Sequence, residues 1–200
     1  MSPPVACLGR LVAAFDKRAE AIVGRLRHRR WADLVFYSAS AAGELSLLWI
    51  ALALLRGRRG GPQDVTAARR TVVAAVLESL AVNGALKSLV GRERPVDPVA
   101  HPLPFRQPLT SSFPSGHATA AFCAATLLAE SEPTAPLYYA LATVVATSRA
   151  YVRIHHASDV LGGAAIGLLL GRLGRRLAPL ERQTTRGRST MRPVPSRARW

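Results

Sequence analysis

The apolar residues of this chain are gathered into long blocks, and most of its arginines lie in the segments between those blocks. Because a helix needs about 20 mainly apolar residues to cross the hydrocarbon of a bilayer, the longest blocks predict membrane helices. They lie at 32–55, 65–90, 137–152 and 160–173, with a shorter apolar helix at 118–129. We therefore predict an all-α fold, a polytopic membrane helical bundle of about five spans, some of them short.

The N-terminal segment has a different pattern. Between residues 8 and 26 the apolar positions recur at helical spacing, and charged residues such as Arg10, Lys17 and Glu20 occupy the rest of the helix surface. This pattern predicts an amphipathic helix that lies in the membrane interface. An ordinary helix packed against the bundle would show the same pattern, so that alternative stays open.

These patterns divide the chain into three parts, namely the amphipathic helix at 1–31, the membrane-embedded helical bundle at 32–178 and a tail at 179–200. The tail is polar, basic and contains prolines, so we predict that it is disordered. A proline-rich segment at 91–113 separates two apolar helices and must form a loop. Loops of this length commonly shape or cover a functional site.

Two kinds of residue stand out within the predicted spans. Glu44 and Glu78 are carboxylates in otherwise apolar segments, and we interpret them as interhelical hydrogen-bonding groups, with a proton relay or a substrate contact as the alternative. The last span also carries glycines, which allow a neighbouring helix to pack closely. These glycines are Gly162, Gly163, Gly167, Gly171 and Gly174.

The formal net charge of +15 narrows the choice of partners. A strongly basic protein can bind nucleic acid, but here the basic residues fall in turns and tails that flank apolar helices, and no nucleic-acid-binding motif is recognisable. Anionic lipid headgroups are the better match, so we expect a membrane partner and no nucleic acid. Cys7 and Cys123 lie far apart in apolar surroundings, which predicts two free thiols rather than a disulfide or a metal site.

Three groups of polar residues lie at the ends of the apolar helices. Lys87 and Arg94 follow the second long helix, residues 114–117 precede the short helix, and residues 148–159 connect the last two helices. An up-and-down bundle places all three groups on one membrane face. The sequence therefore predicts one composite site, assembled from segments that are distant along the chain.

The residue types at these positions suit phosphate chemistry. Positive charge comes from Lys87, Arg94 and Arg149, with Arg92 and Arg153 as further candidates, and an arginine fork matches phosphate oxygens. A second contribution comes from the start of the short helix, where a serine hydroxyl and free backbone N–H groups can hold an anion.

His155 is the candidate nucleophile, because a neutral imidazole whose tautomer is fixed by a carboxylate can form a phosphohistidine. Asp159 follows it by one helical turn and is the candidate carboxylate. A His–Asp pair at this spacing is also common as a surface contact. His156 is assigned to the wall of the site or to solvent.

The spacing of these groups resembles the three-part signature of the type 2 phosphatidic acid phosphatase family. Six residues separate Lys87 from Arg94-Pro95, Pro114-Ser115-Gly116-His117 follows, and Ser148-Arg149 precedes His155 by five residues and Asp159 by nine. The resemblance implies an integral membrane enzyme that hydrolyses a lipid phosphate without a metal or a cofactor.

It also implies a role for each residue of the signature. His155 would be the nucleophile, Asp159 its orienting partner, and His117 the acid that protonates the leaving group and later the base that activates water. The phosphoryl oxygens would be bound by Lys87, Arg94, Ser115, Gly116 and Arg149.

The substrate and the alternatives stay open at this point. Phosphatidic acid, phosphatidylglycerol phosphate, a polyprenyl phosphate or diphosphate and a polyprenyl-linked sugar phosphate all fit, and we favour an isoprenoid carrier of the bacterial cell envelope. A non-catalytic basic membrane protein that binds anionic lipid or nucleic acid is the main alternative. A vanadium-dependent haloperoxidase, from a related but typically larger and soluble group, is a remote one.

The distribution of lysine and arginine predicts the orientation. More of these residues lie on the bundle face opposite the predicted site than on the face of the site, although the basic N-terminal helix opposes that trend. Because positive residues favour the cytoplasmic side, we expect an active site on the extracytoplasmic face of a bacterial plasma membrane. The sequence predicts no oligomeric state.

Overall fold

The computed structural model describes residues 3–95 and 110–180, and within these two ranges every regular element is a helix. The predicted all-α class is therefore confirmed for the described residues. Residues 96–109 of the proline-rich loop predicted at 91–113, and residues 181–200 of the tail predicted at 179–200, lie outside the described residues. The α-helices are α1 (Pro3–Gly24), α2 (Arg30–Ala42), α3 (Leu47–Gly57), α4 (Pro62–Glu78), α5 (Lys87–Val90), α6 (Gly116–Leu128), α7 (Ala135–Tyr151) and α8 (Ala157–Leu177).

Two stretches of helix are long and apolar enough to cross a membrane in the described part of the chain. One is α8, and the other is Pro62–Val90, in which the π-helical segment Ser79–Leu86 joins α4 to α5. A third span results if α2 and α3 are counted as one bent element. The predicted number of about five spans stays a prediction.

The helix predicted at 32–55 is broken in the middle. A short 3-10 turn, Glu44–Ser46, separates α2 from α3, and the two helices are bent by 74°. The backbone of Ser46 lies in the left-handed region with φ of 59°, a conformation that a continuing α-helix does not contain. The bend brings Glu44 to the cavity described below rather than to a lipid-facing helix surface.

Helix α6 forms the centre of the bundle. Ten of its thirteen residues are buried, because α3, α4, α7 and α8 all pack against it. The closest neighbour is α8, whose glycines meet α6 directly, as predicted. A Cβ atom at Gly163 would lie 2.5 Å from the Ser115 carbonyl oxygen, and one at Gly167 would overlap the Thr119 carbonyl oxygen. Only glycine permits this approach of the two backbones.

Three arginines, which we name the arginine clamp, hold the C-terminal end of α6. They come from three different helices and donate to carbonyls that the helix end leaves without intrahelical partners. All three also pair with carboxylates, Arg56 with Asp64 at 3.0 Å, and Arg70 and Arg175 with Glu130 at 2.6 Å and 3.4 Å. The bonds to α6 are Arg56 to Leu128 O (2.5 Å), Arg70 to Leu127 O (2.6 Å) and Arg175 to Thr126 O.

Helix α1 lies against α7 and α8. Its outer side exposes large apolar residues, among them Leu8, Leu11 and Ile22, whereas Asp16 on its inner side is buried. The helix therefore packs on the bundle and also presents an apolar surface, and its position in the membrane interface stays a prediction.

Candidate active site

A cavity of about 860 Å³ opens beside the N-terminal end of α6. Side chains from α5, from the segment after it, from α6, from α7 and from the turn before α8 reach this one space. Of the eight residues predicted for the site, those that line the cavity are Lys87, Arg94, Gly116, His117, Arg149 and His155. The other two, Ser115 and Asp159, are fully buried beside lining residues.

The ring of His155 is held by a backbone carbonyl. Its Nδ1 lies 2.7 Å from the carbonyl oxygen of Ser112, and because a carbonyl only accepts, Nδ1 carries the hydrogen. The Nε2 lone pair is then free for chemistry on the side of Arg94, whose Nη1 lies 3.4 Å away. The contact with Ser112 thus selects the tautomer that a nucleophilic Nε2 requires.

Burial keeps His155 neutral. Desolvation is the largest cause that lowers the pKa of His155, the charges of Arg94 and Arg149 add to it, Asp159 opposes it, and the resulting pKa is about 4. An imidazole with this pKa is unprotonated at neutral pH and retains its nucleophilic lone pair.

Asp159 acts on His155 through an intermediary. The sequence predicted a direct contact, but Asp159 Oδ2 lies 3.8 Å from His155 Nδ1, beyond hydrogen-bond distance. The Ser112 hydroxyl donates to the same carboxylate oxygen at 2.5 Å, so Ser112 links the two residues. Ser112 was not found from the sequence, because it lies near the end of the proline-rich loop and belongs to no recognised motif.

Ser115 takes the N-cap position of α6. Its hydroxyl accepts a bond from the Ala118 N–H at 3.5 Å, and its own N–H donates to the carbonyl of Asp159 at 3.1 Å. This geometry directs the hydroxyl towards the helix, while Gly116 and His117 in the first turn line the cavity. The phosphate contact predicted for the Ser115 hydroxyl stays a prediction.

Two nitrogen donors at the cavity have no hydrogen-bond partner among the described residues. They are Nε2 of His117 and Nε of Arg149, and both are buried. Leaving a buried polar group unpaired costs about 1–3 kcal/mol. Such groups beside an open cavity indicate a ligand that supplies acceptor oxygens.

Glu44 and Glu78 also line the cavity. Glu44 Oε1 lies 3.7 Å from His117 Nε2 and 4.0 Å from Arg149 Nη1. Glu78 is buried, and its Oε1 has no hydrogen-bond partner in the described part of the chain, so the predicted interhelical bond is not found at that atom. Both carboxylates belong to the surroundings of the site.

Neighbouring His156 begins α8. Its backbone N–H donates to Asp159 Oδ2 at 2.8 Å, and its Nδ1 lies 3.2 Å from the same oxygen. The side chain therefore lies on the far side of Asp159 and does not line the cavity that holds His155 Nε2.

Comparison with known proteins identifies the family to which the chain belongs. The family model of the PAP2 superfamily matches residues 69–182, a range that includes all eight predicted site residues. The chain belongs to the PAP2 superfamily. The resemblance drawn from the spacing of the signature is thereby confirmed.

Two curated PAP2 relatives are named as phosphatases of lipid substrates. The decaprenylphosphoryl-5-phosphoribose phosphatase of Mycobacterium tuberculosis is 35% identical over 134 residues, which cover 64% of this chain and 71% of that protein. The lipid A 1-phosphatase of Porphyromonas gingivalis is 45% identical over 69 residues, 32% of this chain. The chain spans only 16% of the length of that second relative.

Solved structures of two PAP2 proteins share the fold. A transmembrane PAP2 type phosphatidylglycerolphosphate phosphatase from Bacillus subtilis superposes with a TM-score of 0.60 at 24% identity and covers 88% of this chain and 96% of its own. LpxE from Aquifex aeolicus gives a TM-score of 0.61 at 27% identity, with 78% and 92% covered. Together with the long apolar helices, this PAP2 fold makes the protein an integral membrane protein.

Proposed function

We propose that this PAP2 protein is a phosphatase that hydrolyses a lipid phosphate in the membrane through a phosphohistidine formed on His155. The observation that carries the proposal is the cavity in which a neutral His155 faces Arg94 and lies with Lys87 and Arg149. Cationic groups alone would suit any anion, but an oriented imidazole nucleophile beside them suits phosphoryl transfer.

In the first step, Nε2 of His155 attacks phosphorus and the bond between phosphorus and the lipid oxygen breaks. The leaving oxygen takes a proton from His117, so that a neutral alcohol departs. Lys87, Arg94 and Arg149 hold the phosphoryl oxygens, and the first turn of α6 at Gly116 offers N–H groups at its positive dipole end.

As Nε2 forms its bond to phosphorus, the ring of His155 becomes cationic while Nδ1 keeps its hydrogen. The carbonyl of Ser112 accepts that hydrogen, and Asp159 stabilises the charge from 3.8 Å. In the second step water attacks the phosphohistidine, His117 accepts a proton from the water, and inorganic phosphate leaves. His155 returns to its neutral form.

The substrate that we favour is the phosphate monoester of an isoprenoid carrier or of a sugar linked to one. Support comes from the relative that matches over most of its length, which is named for a decaprenyl-linked phosphoribose. A phosphatidate-type lipid or a lipid diphosphate would use the same cavity. We also propose an extracytoplasmic site in a bacterial plasma membrane, on the distribution of lysine and arginine alone.

A release assay tests the proposal. The purified protein in detergent is given phosphatidic acid, phosphatidylglycerol phosphate, a polyprenyl phosphate, a polyprenyl diphosphate and a polyprenyl-linked phosphoribose phosphate, each with EDTA present. We expect inorganic phosphate from at least one lipid, and inhibition by vanadate, which mimics the transferred group.

The matched variants are His155→Ala and His28→Asn. His28 is an exposed histidine outside the cavity, and its positive φ of 66° is one that asparagine tolerates, so His28→Asn keeps wild-type turnover. His155→Ala is expected to release no phosphate. Turnover by His155→Ala at the wild-type rate, or wild-type activity that EDTA abolishes, contradicts the mechanism.

A further inference from the structure

Asp16 is a buried carboxylate on a helix whose opposite side is exposed. It lies on the inner side of α1, only 8% exposed, and all of its described contacts are made with residues near the active site. Its Oδ2 accepts from Arg92 Nη2 at 2.8 Å, and its Oδ1 accepts from the backbone N–H of Ser158 at 2.8 Å. Asp16 therefore holds both Arg92 and the first turn of α8.

Arg92 connects Asp16 to the site. Its Nη1 donates to Asp159 Oδ1 at 2.6 Å and to the Ser158 hydroxyl at 2.7 Å, while its Nη2 reaches Asp16. Its backbone carbonyl accepts from the N–H of Ser112 at 2.8 Å. One residue thus fixes both groups that act on His155, the carboxylate of Asp159 and the backbone of Ser112.

The charges of this group depend on one another. Asp16 and Asp159 are both buried carboxylates, and they share the single guanidinium of Arg92. A guanidinium that binds two carboxylates at once is held in one orientation, whereas a guanidinium that binds one carboxylate can rotate. Loss of the Asp16 charge would leave Arg92 free to turn on Asp159 and to displace it from Ser112.

We propose that Asp16 is a positioning residue for the hydrolysis, so that α1 belongs to the catalytic unit. By holding Arg92 and the start of α8, Asp16 fixes Asp159 and Ser112, and through them the tautomer and the ring position of His155. This inference rests on the proposed function. It assigns to the N-terminal helix a role beyond contact with the membrane.

The same helix provides a matched control. Glu20 lies one helical turn after Asp16 and is also ion-paired, with Arg27 at 2.6 Å and with Arg153 at 3.0 Å. None of its described contacts is with Arg92, Ser112 or Asp159. A carboxylate that only anchors α1 to the bundle would behave as Glu20 does.

The experiment compares Asp16→Asn with Glu20→Gln in the full-length protein. We expect kcat of Asp16→Asn to fall about 10- to 100-fold, the loss typical when an outer partner of a functional histidine is removed, with KM changed less than about threefold. Glu20→Gln is expected to keep kcat within about threefold of wild type, because Glu20 does not contact the residues that position His155. Thermal unfolding in detergent checks that each variant is folded.

A double variant tests the connection itself. If Asp16 acts through Arg92, Asp16→Asn combined with Arg92→Gln falls no further in kcat than Arg92→Gln alone. If the fold-decreases in kcat of the two single variants multiply in the double variant, Asp16 acts by another route and the inference is overturned. Should Asp16→Asn not fold, Arg92→Lys takes its place, because an ammonium cannot bridge both carboxylates as the fork does; a wild-type kcat for Arg92→Lys overturns the inference.

The two proposals fail differently. If the wild-type protein releases phosphate from none of the lipid phosphates, both the proposed function and this inference are contradicted. An active wild-type protein whose Asp16→Asn variant keeps wild-type kcat, or loses no more than Glu20→Gln, removes only the inference. An increase in KM at constant kcat would also contradict it, since that pattern reports lost substrate binding.

Discussion

Both ends of helix α6 meet buried arginines, but the arginines at the two ends differ in their ion pairs. At the C-terminal end, Arg56 and Arg70 donate to helix carbonyls and pair with carboxylates at 3.0 Å and 2.6 Å, whereas Arg149 at the N-terminal end lies 4.0 Å from Glu44. At the N-terminal end, Arg149 faces a cavity and its Nε has no partner in the described part of the chain. Nε of Arg70 and Nε of Arg175 also lack a hydrogen-bond partner among the described residues, so the two ends differ in their short ion pairs and in the cavity.

This difference separates stability from function. Carboxylates and carbonyls pair with the arginine clamp, so its removal would leave carboxylates and helix-end carbonyls without these partners. Lys87, Arg94 and Arg149 line one cavity, and a cluster of like charges costs stability unless an anion is bound. Replacing an arginine by methionine should therefore reduce activity at the N-terminal end of α6 and reduce stability at the C-terminal end.

The largest effect is expected for Arg149→Met at the cavity end. Without this guanidinium the phosphoryl oxygens lose a charged donor in the transition state, so kcat/KM should fall about 100- to 1,000-fold. The melting temperature in detergent should not decrease, because the lost bond to Ser40 is offset by removal of a buried cation that shares the cavity with Lys87 and Arg94. A large loss of stability in Arg149→Met, with normal activity per folded molecule, would contradict the difference proposed between the two ends of α6.

Arg56→Met, at the C-terminal end of α6, should reduce stability and leave activity unchanged. The change removes the donor to the Leu128 and Glu130 carbonyls, while Asp64 keeps its pair with Arg59, so the free energy of unfolding should decrease by about 1–3 kcal/mol. Turnover per folded molecule should stay near wild type, because Arg56 does not line the cavity. Chemical unfolding and a phosphate-release assay on the same sample provide both values.

Gly167→Ala tests the contact that holds α8 against the middle of α6. The added methyl overlaps the Thr119 carbonyl, and the two backbones must separate, which typically costs about 1–3 kcal/mol. Gly9→Ala on α1 is the control, because nothing lies within 4 Å of the Cβ that it adds. Equal stability of the two variants, measured by unfolding, would show that the glycines of α8 do not set the helix spacing.

The last prediction concerns pH. Because burial lowers the pKa of His155 to about 4, from a value of about 6.5 in the unfolded chain, the unfolded state binds the proton more readily between these values. The contribution of His155 to stability is complete above about pH 6.5 and is lost as the pH falls towards 4. The stability difference between wild type and His155→Gln should therefore shrink over that range, and a constant difference would contradict the pKa.

The sequence predicted the parts of the site that depend on helix ends. Lys87, Arg94, His117, Arg149 and His155 lie close to predicted helix boundaries, and the up-and-down order of the helices suffices to bring them to one cavity. The helix positions themselves agree with the hydrophobic blocks, since burial or membrane contact of those blocks determines the helices.

Other features could not be read from the pattern. Ser112 and Asp16 reach the site through contacts between segments distant along the chain, and neither contact leaves a spacing signal. The break at Glu44 could not be read from the sequence, because small residues such as Gly43 and Ser46 are also common inside unbroken membrane helices. Composition also could not distinguish the arginine clamp from the cavity cations, since both are arginines at the ends of apolar helices.

The central claim, a phosphoryl group carried by His155, can be tested by trapping the phosphoenzyme. An aryl phosphate has a leaving group that departs without protonation, so His117→Asn should still form the intermediate but lack the base for its hydrolysis. After a rapid quench with labelled aryl phosphate, the account predicts an acid-labile, alkali-stable label on the peptide that contains His155. Label on another residue, or slow phosphate release from a protein that never becomes labelled, would contradict it.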